Sequence, residues 1–190
     1  MVSFEDDIKQ ALTVLQSGGL ILYPTDTVWG IGCDATHAGA VARIFSLKNR
    51  PDQKAMIVLV AEERDVLRYT ASPDLRVFDY LRQSARPTTV IYPQAVGLAE
   101  NLVAPDGSIA IRICRDPFCK SLLKRFRKPL VSTSANLSGN PSPAGFADID
   151  PRIRAGVDYV VKYRQTEKGQ AAPSRLIQWN PDGSVTVLRE

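Results

Sequence analysis

The segment PLVSTSANLSGNPSP (129–143) concentrates the side chains most able to hold an anion. A short apolar strand, Pro129-Leu130-Val131, runs into a turn that packs Ser132, Thr133, Ser134, Asn136, Ser138 and Ser142 into eleven residues. Hydroxyls and amides at that density, just past a strand end, offer many hydrogen-bond donors without adding formal charge. A solvated Ser/Asn/Gly/Pro loop has the same composition, so this segment alone leaves both readings open.

Other segments supply charge and shape. YPTDTVWG (23–30) sets Thr25 and Thr27 two residues apart, so in extended geometry their hydroxyls share a side. Pro24 stiffens the chain there, and Gly30 and Gly32 allow close backbone approach. The β-propensity of threonine accounts for the pair as well. KNRPDQK (48–54) groups Lys48, Arg50 and Lys54 around Pro51. The proline keeps Arg50 extended, which ends the preceding helix and aims a rigid guanidinium away from it. Three cations so close suit a triphosphate, whose charge must be offset before another anion approaches. A solvated basic loop is the plainer alternative. No GxxxxGK[ST] occurs, so a nucleotide site here is not a P-loop.

SIAIRIC (108–114) alternates, with Ile109, Ile111 and Ile113 on one side and Ser108, Ala110 and Arg112 on the other. A guanidinium on an interior strand is costly to bury unpaired, so Arg112 calls for a carboxylate ligand or a structural ion pair. A second basic cluster, Lys120, Lys124, Arg125, Arg127 and Lys128, shares a helix with Phe118, Leu122, Leu123 and Phe126. It reads as a solvated face or as an RNA contact.

These segments need a framework. The 190 residues fit one domain, 1–190, with 44% hydrophobic and 23% charged residues, which excludes disorder. A net charge of +4 permits a nucleotide or RNA partner without demanding one. Cys33, Cys114 and Cys119 are odd in number and form no CxxC, which argues against a disulfide framework or zinc site and for a reducing, cytoplasmic setting. No signal peptide and no membrane-spanning apolar run is present. The single histidine, His37, leaves little room for Ser-His or Cys-His nucleophile chemistry and suits a surface or helix-capping role.

Periodicity predicts a helix through Phe4, Ile8, Ala11, Leu12 and Leu15, capped by Ser3 and stopped by Gly18-Gly19. A second helix follows through Val41, Ile44 and Phe45, with others at 62–68, 73–83 and 117–126. Strands are expected at 20–23, 56–60, 88–92, 108–113, 130–133, 158–161, 175–179 and 184–188, the last two joined by the turn Asn180-Pro181-Asp182-Gly183. The alternation implies an α/β fold on a mixed sheet, with 165–173 as a mobile loop.

YPTDTVWG, KNRP, SIAIR and PLVSTSANLSGNPSP, in this order, resemble the YrdC-like family of threonylcarbamoyl-AMP synthases over nearly the whole chain, in its short single-domain form. The resemblance implies a twisted mixed β-sheet with helices on both faces around a concave basic cavity. It implies a cytoplasmic nucleotidyltransferase that makes threonylcarbamoyl-AMP and pyrophosphate from L-threonine, bicarbonate and ATP, with Mg²⁺ carried by ATP. A threonylcarbamoyl transferase complex would then modify tRNA. By matching position, Thr27, Arg112 and Ser132 are implied to bind threonine. Arg50, Lys54, Ser108, Ser134, Asn136, Ser142 and Ser174 are implied to bind ATP, with Lys48 and Arg50 as the catalytic cations.

The family's Pro-Gly-Pro-x-Thr appears here as Ala85-Arg86-Pro87-Thr88-Thr89, Leu59 stands where longer relatives carry a histidine, and Arg175 replaces a small hydroxyl residue. The competing class is an RNA-binding protein without catalysis, contacting double-stranded RNA or tRNA by shape and phosphate.

Overall fold

The computed structural model describes residues 4–49, 56–167 and 172–190. The first helix, α1 (Phe4–Gln16), buries Ile8, Ala11 and Leu15 along one stripe, and Glu5, Asp6 and Asp7 in its first turn complement the helix dipole. It stops where Gly18 takes φ +76°; the expected cap, Ser3, lies outside the described residues. His37 caps α2 (Ala38–Lys48), its Nδ1 accepting from the Ala40 N–H at 3.1 Å, as expected of that histidine. That helix ends on Asn49 in the left-handed region. The Pro51 expected to end it lies outside the described residues.

The remaining elements are β1 (Ile21–Tyr23), β2 (Gly30–Gly32), β3 (Ile57–Val60), α3 (Glu63–Tyr69), α4 (Arg76–Gln83), β4 (Thr88–Tyr92), β5 (Ile109–Ile113), α5 (Pro117–Phe126), β6 (Leu130–Ser134), α6 (Pro151–Gly156), β7 (Tyr159–Val160), β8 (Arg175–Trp179) and β9 (Val185–Arg189). The strands form one mixed sheet in the order β7-β1-β2-β6-β3-β5-β4-β8-β9. Only β1/β7, β3/β5 and β4/β8 are parallel.

Strand β2 and helices α4 and α6 depart from the sequence expectation by more than a residue at an end, α6 being too short to show a pattern. Strand β2 was not anticipated, because Gly-Ile-Gly has low strand propensity. It forms because it is pinned between β1 and β6, where a Cβ on Gly32 would lie 2.7 Å from both Tyr23 Cε1 and the Val131 carbonyl oxygen. Helix α4 starts at Arg76 rather than at residue 73, since the Asp74 carboxylate takes the Arg76 N–H at 3.0 Å and sets the entry there.

Register sorts the sheet into two faces, since cross-strand partners point the same way. Val131, Val58, Ile111, Val90 and Ile177 form one ladder across five strands, none more than 2% exposed. Burying each contributes about 1.5–3 kcal/mol. The opposite face of the same strands carries Leu59, Arg112 and Thr89 in a single row, with Ser132 one row along beside Ile57. An apolar core on one side thus presents a polar row on the other. All three cysteines are buried free thiols. Among the described residues no helix is long and apolar enough to cross a membrane.

Candidate active site

The polar row is centred on Arg112, which is 1% exposed although it carries a full charge. Its Nε and Nη2 are buried without hydrogen-bond partners. Asp26 Oδ1 lies 3.1 Å from Nη2, near enough for an ion pair, yet it too makes no hydrogen bond. A buried guanidinium with two idle donors is an expensive arrangement and a receptive one.

Arg112 opens onto a hollow of about 150 Å³ whose walls include Thr27, Gly30, Ser132, Ser134, Ser142, Ser174 and Arg189. That volume lies below the roughly 300–1,000 Å³ of ordinary small-molecule pockets, so the hollow fits a small ligand or part of a larger one. The turn after β1 supplies Thr27, β2 supplies Gly30, β3 supplies Ile57, β5 supplies Arg112, β6 and the loop after it supply Ser132, Ser134 and Ser142, Ser174 lies just before β8, and Arg189 ends β9.

Thr25 and Thr27 do present their hydroxyls to each other, at 2.9 Å, but through a bend and not an extended strand. Thr25 has one hydroxyl proton, and the Val28 carbonyl, which can only accept, takes it at 2.8 Å. Thr27 must therefore donate to Thr25, which leaves Thr27 with lone pairs alone to offer a ligand.

Ser174 is 2% exposed, and its hydroxyl lies 2.7 Å from that of Thr89, the register neighbour of Arg112. This puts Ser174 at the guanidinium end of the hollow. Its carbonyl accepts from Arg189 Nε at 3.1 Å and Nη2 at 2.8 Å. Burial first, and repulsion from Arg112 second, hold the Arg189 guanidinium below its ordinary pKa. Arg189 was missed in the sequence. Nothing near it marks it as special, and only the fold-back of β9 along β8 brings it to the site.

Lys48 and Asn136 do not line the hollow. Lys48 is 1% exposed and its ammonium donates to the carbonyls of Ser134 and Asn136, while its own carbonyl accepts from Ser138 N–H at 2.9 Å. It fastens the serine-rich loop to the end of α2. The Asn136 amide nitrogen donates to Leu137 and Asn140 carbonyls, and its buried Oδ1 has no hydrogen-bond partner. Ser108 also lies off the wall, one residue before β5 and four from Arg112. Arg50 and Lys54 fall outside the described residues. Leu59 sits in register beside Arg112 and is fully buried, and Arg175 turns away to Glu190 and Tyr80.

The wall offers hydroxyls and guanidinium groups, which suit anions and not a divalent cation. Among the described residues no group of three His, Cys, Asp or Glu could hold a metal ion. On α5 and just after it, three cations of the basic cluster make half-exposed ion pairs: Lys124 with Glu62 at 2.7 Å, Lys128 with Asp34 at 2.6 Å, and Arg125 with Glu5.

Known proteins are similar to this chain in sequence and in fold. Residues 13–190 match the Sua5/YciO/YrdC family, described under telomere recombination. A threonylcarbamoyl-AMP synthase of Stenotrophomonas maltophilia is 34% identical over 171 residues, covering 88% of this chain and 92% of that protein. One from Xanthomonas euvesicatoria is 38% identical over 159 residues, covering 82% and 84%. Escherichia coli YciO superimposes with a TM-score of 0.81 at 23% identity, covering 97% of this chain and 89% of that one. Sua5 from P. abyssi, solved with L-threonine, gives 0.85 at 22% identity, covering 97% of this chain, which spans 54% of Sua5. With the serine-rich loop, the threonine turn and the buried arginine set on the same mixed sheet, the chain belongs to the Sua5/YciO/YrdC family.

Proposed function

We propose that this chain is an L-threonylcarbamoyladenylate synthase, forming threonylcarbamoyl-AMP and pyrophosphate from L-threonine, bicarbonate and ATP. The observation that carries the reading is Arg112: a buried guanidinium with two idle donors in a hollow of about 150 Å³ demands a small carboxylate. Relatives named threonylcarbamoyl-AMP synthase at 34–38% identity support it.

Threonine sets its carboxylate on Arg112 and its hydroxyl against the lone pairs of Thr27, with Ser132 and Ser174 beside it. Its amine is carboxylated, and the new carboxylate attacks the α-phosphorus of ATP, expelling pyrophosphate in line. Both partners are anionic, so positioning and charge neutralisation supply the catalysis more than acid–base chemistry does. Arg50, Lys54, Ser108, Ser134, Asn136 and Ser142 hold the nucleotide, and Arg189 adds positive charge at the mouth. Lys48 acts by fastening the Ser134–Asn136 turn. Mg²⁺ carried with ATP would help offset the charge of the triphosphate. The product passes to a threonylcarbamoyl transferase complex acting on tRNA, in the cytoplasm, and residues 1–190 work as one domain.

The test is incubation with ATP, labelled bicarbonate and L-threonine. Threonine-dependent pyrophosphate release together with a labelled adenylate supports the reading. Pyrophosphate release that ignores threonine, or no labelled adenylate, refutes it.

A further inference from the structure

The carboxylate beside Arg112 has no structural employment. Asp26 Oδ1 is buried, makes no hydrogen bond, and approaches Arg112 Nη2 at 3.1 Å without aligning to it. An ion pair kept for stability is normally closed by good geometry and further hydrogen bonds, because desolvation otherwise exceeds the Coulombic gain. Here, among the described residues, Asp26 Oδ1 and Arg112 Nε and Nη2 are all buried without a hydrogen bond. The turn that holds Asp26 is nevertheless rigid, fixed by the Thr25 hydroxyl to the Thr27 N–H at 3.0 Å and to the Val28 carbonyl at 2.8 Å.

An amino acid is a zwitterion, and this pair is its electrostatic complement. We propose that Asp26 receives the α-ammonium of the substrate while Arg112 holds its carboxylate, and that Asp26 then accepts the proton the nitrogen must lose. This rests on the synthase reading above. The ammonium is borne on the carbon next to the carboxylate, so a substrate seated on Nη2 brings it to the oxygen that already touches Nη2. Among the described residues no acidic side chain lines the hollow itself, and Asp26 is linked to it through Arg112, whose Nη2 it approaches at 3.1 Å.

The balance is as follows. The ammonium gives one proton to Asp26, the freed lone pair attacks the bicarbonate carbon, and a C–N bond forms. Water leaves with the bicarbonate hydroxyl and a nitrogen proton, giving the N-carboxylate. The proton on Asp26 has an exit: the same side chain also lines a neighbouring cavity of about 500 Å³, rimmed by the exposed Arg64, Arg82 and Arg86. The charged and titratable groups around Asp26 are Arg112 from β5, Arg115, and Cys119 and Lys120 from α5. Across the cavity stand Glu62 and Glu63 with the three rim arginines.

The experiment compares wild type, Asp26→Asn and Asp26→Glu. Calorimetry without ATP measures binding of L-threonine and of 2,3-dihydroxybutanoate, in which a hydroxyl replaces the ammonium. Pyrophosphate release is then followed from pH 6 to 9. Asp26→Asn is expected to weaken threonine binding about 10–100-fold while leaving the hydroxyl analogue nearly unchanged. It should slow turnover at neutral pH about 10²–10⁴-fold, with the residual rate climbing tenfold per pH unit as free amine replaces ammonium. Asp26→Glu should retain the preference for threonine over the analogue. Equal losses for both ligands, or wild-type turnover and pH profile in Asp26→Asn, overturn the proposal. If the wild type prefers threonine through Asp26 yet makes no adenylate, the synthase reading falls and the ammonium contact stands.

Discussion

Replacing Arg112 by methionine and Asp26 by leucine together should make the protein more stable and less able to use threonine, because both charges of the buried pair are then removed. The side chain is 1% exposed, two of its nitrogens lack hydrogen bonds, and its one ionic contact is poorly aligned. Each unsatisfied buried donor costs about 1–3 kcal/mol, and exchanging buried ion pairs for apolar groups of similar volume is often neutral or stabilising by about 1–4 kcal/mol. A net gain of about 1–2 kcal/mol follows, which for a chain of this length raises Tm by about 2–8 °C. Threonine loses two charge-assisted hydrogen bonds at about 1.5–3 kcal/mol each, so its KM should rise about 10²–10⁴-fold while the KM for ATP changes little. Differential scanning calorimetry and threonine-dependent pyrophosphate release measure the two halves. A variant that melts lower while keeping its threonine KM would show Arg112 to be a structural ion pair and refute the reasoning.

Three further outcomes are expected. Lys48→Met should loosen the Ser134–Asn136 turn and lower kcat/KM for ATP by about 10²-fold, the effect of a displacement near 1 Å, with a smaller change for threonine. Asp7→Ala leaves the Tyr159 hydroxyl and the Lys162 and Tyr163 N–H groups without their carboxylate, at 2.6, 2.9 and 2.8 Å in the native protein. It should cost about 3 kcal/mol, or about 6–12 °C in Tm by calorimetry. The Asp158 carboxyl is held below its ordinary pKa by Arg43 first and by the Leu20 N–H as well, against the opposing effect of burial. A depressed folded pKa gives stability that is present above the unfolded value near 4 and lost as pH falls through the folded one. The Tm advantage of wild type over Asp158→Asn should therefore shrink between pH 5 and pH 2.

Much of the framework was legible because local chemistry and tertiary need agree. Strand β4, helix α5 and strand β8 have the bounds their residue patterns imply, since alternation and capping each fix an end. Helix α6 and strand β2 were not legible. The first is short, and the second is a glycine strand that exists only because its neighbours leave room for nothing larger. In the site, Thr27, Arg112, Ser132, Ser134, Ser142 and Ser174 line one hollow. Lys48 shows the limit of composition as a guide. A lysine in a basic run looks like a phosphate ligand, yet the geometry turns it inward onto two carbonyls.

The order of residues alone decided the polar row, because a two-residue period puts Arg112 on the face opposite three isoleucines whatever the sheet does next. It also decided that hydroxyls would crowd the end of β6. Only the folded chain decided which partners these groups have. Arg189 reaches Ser174 through a hairpin, and Asp26 reaches Arg112 across 86 positions of sequence. Contacts of that kind depend on sheet order and register, which no local pattern encodes, and they determine where a buried charge is satisfied and where it is left open for a ligand.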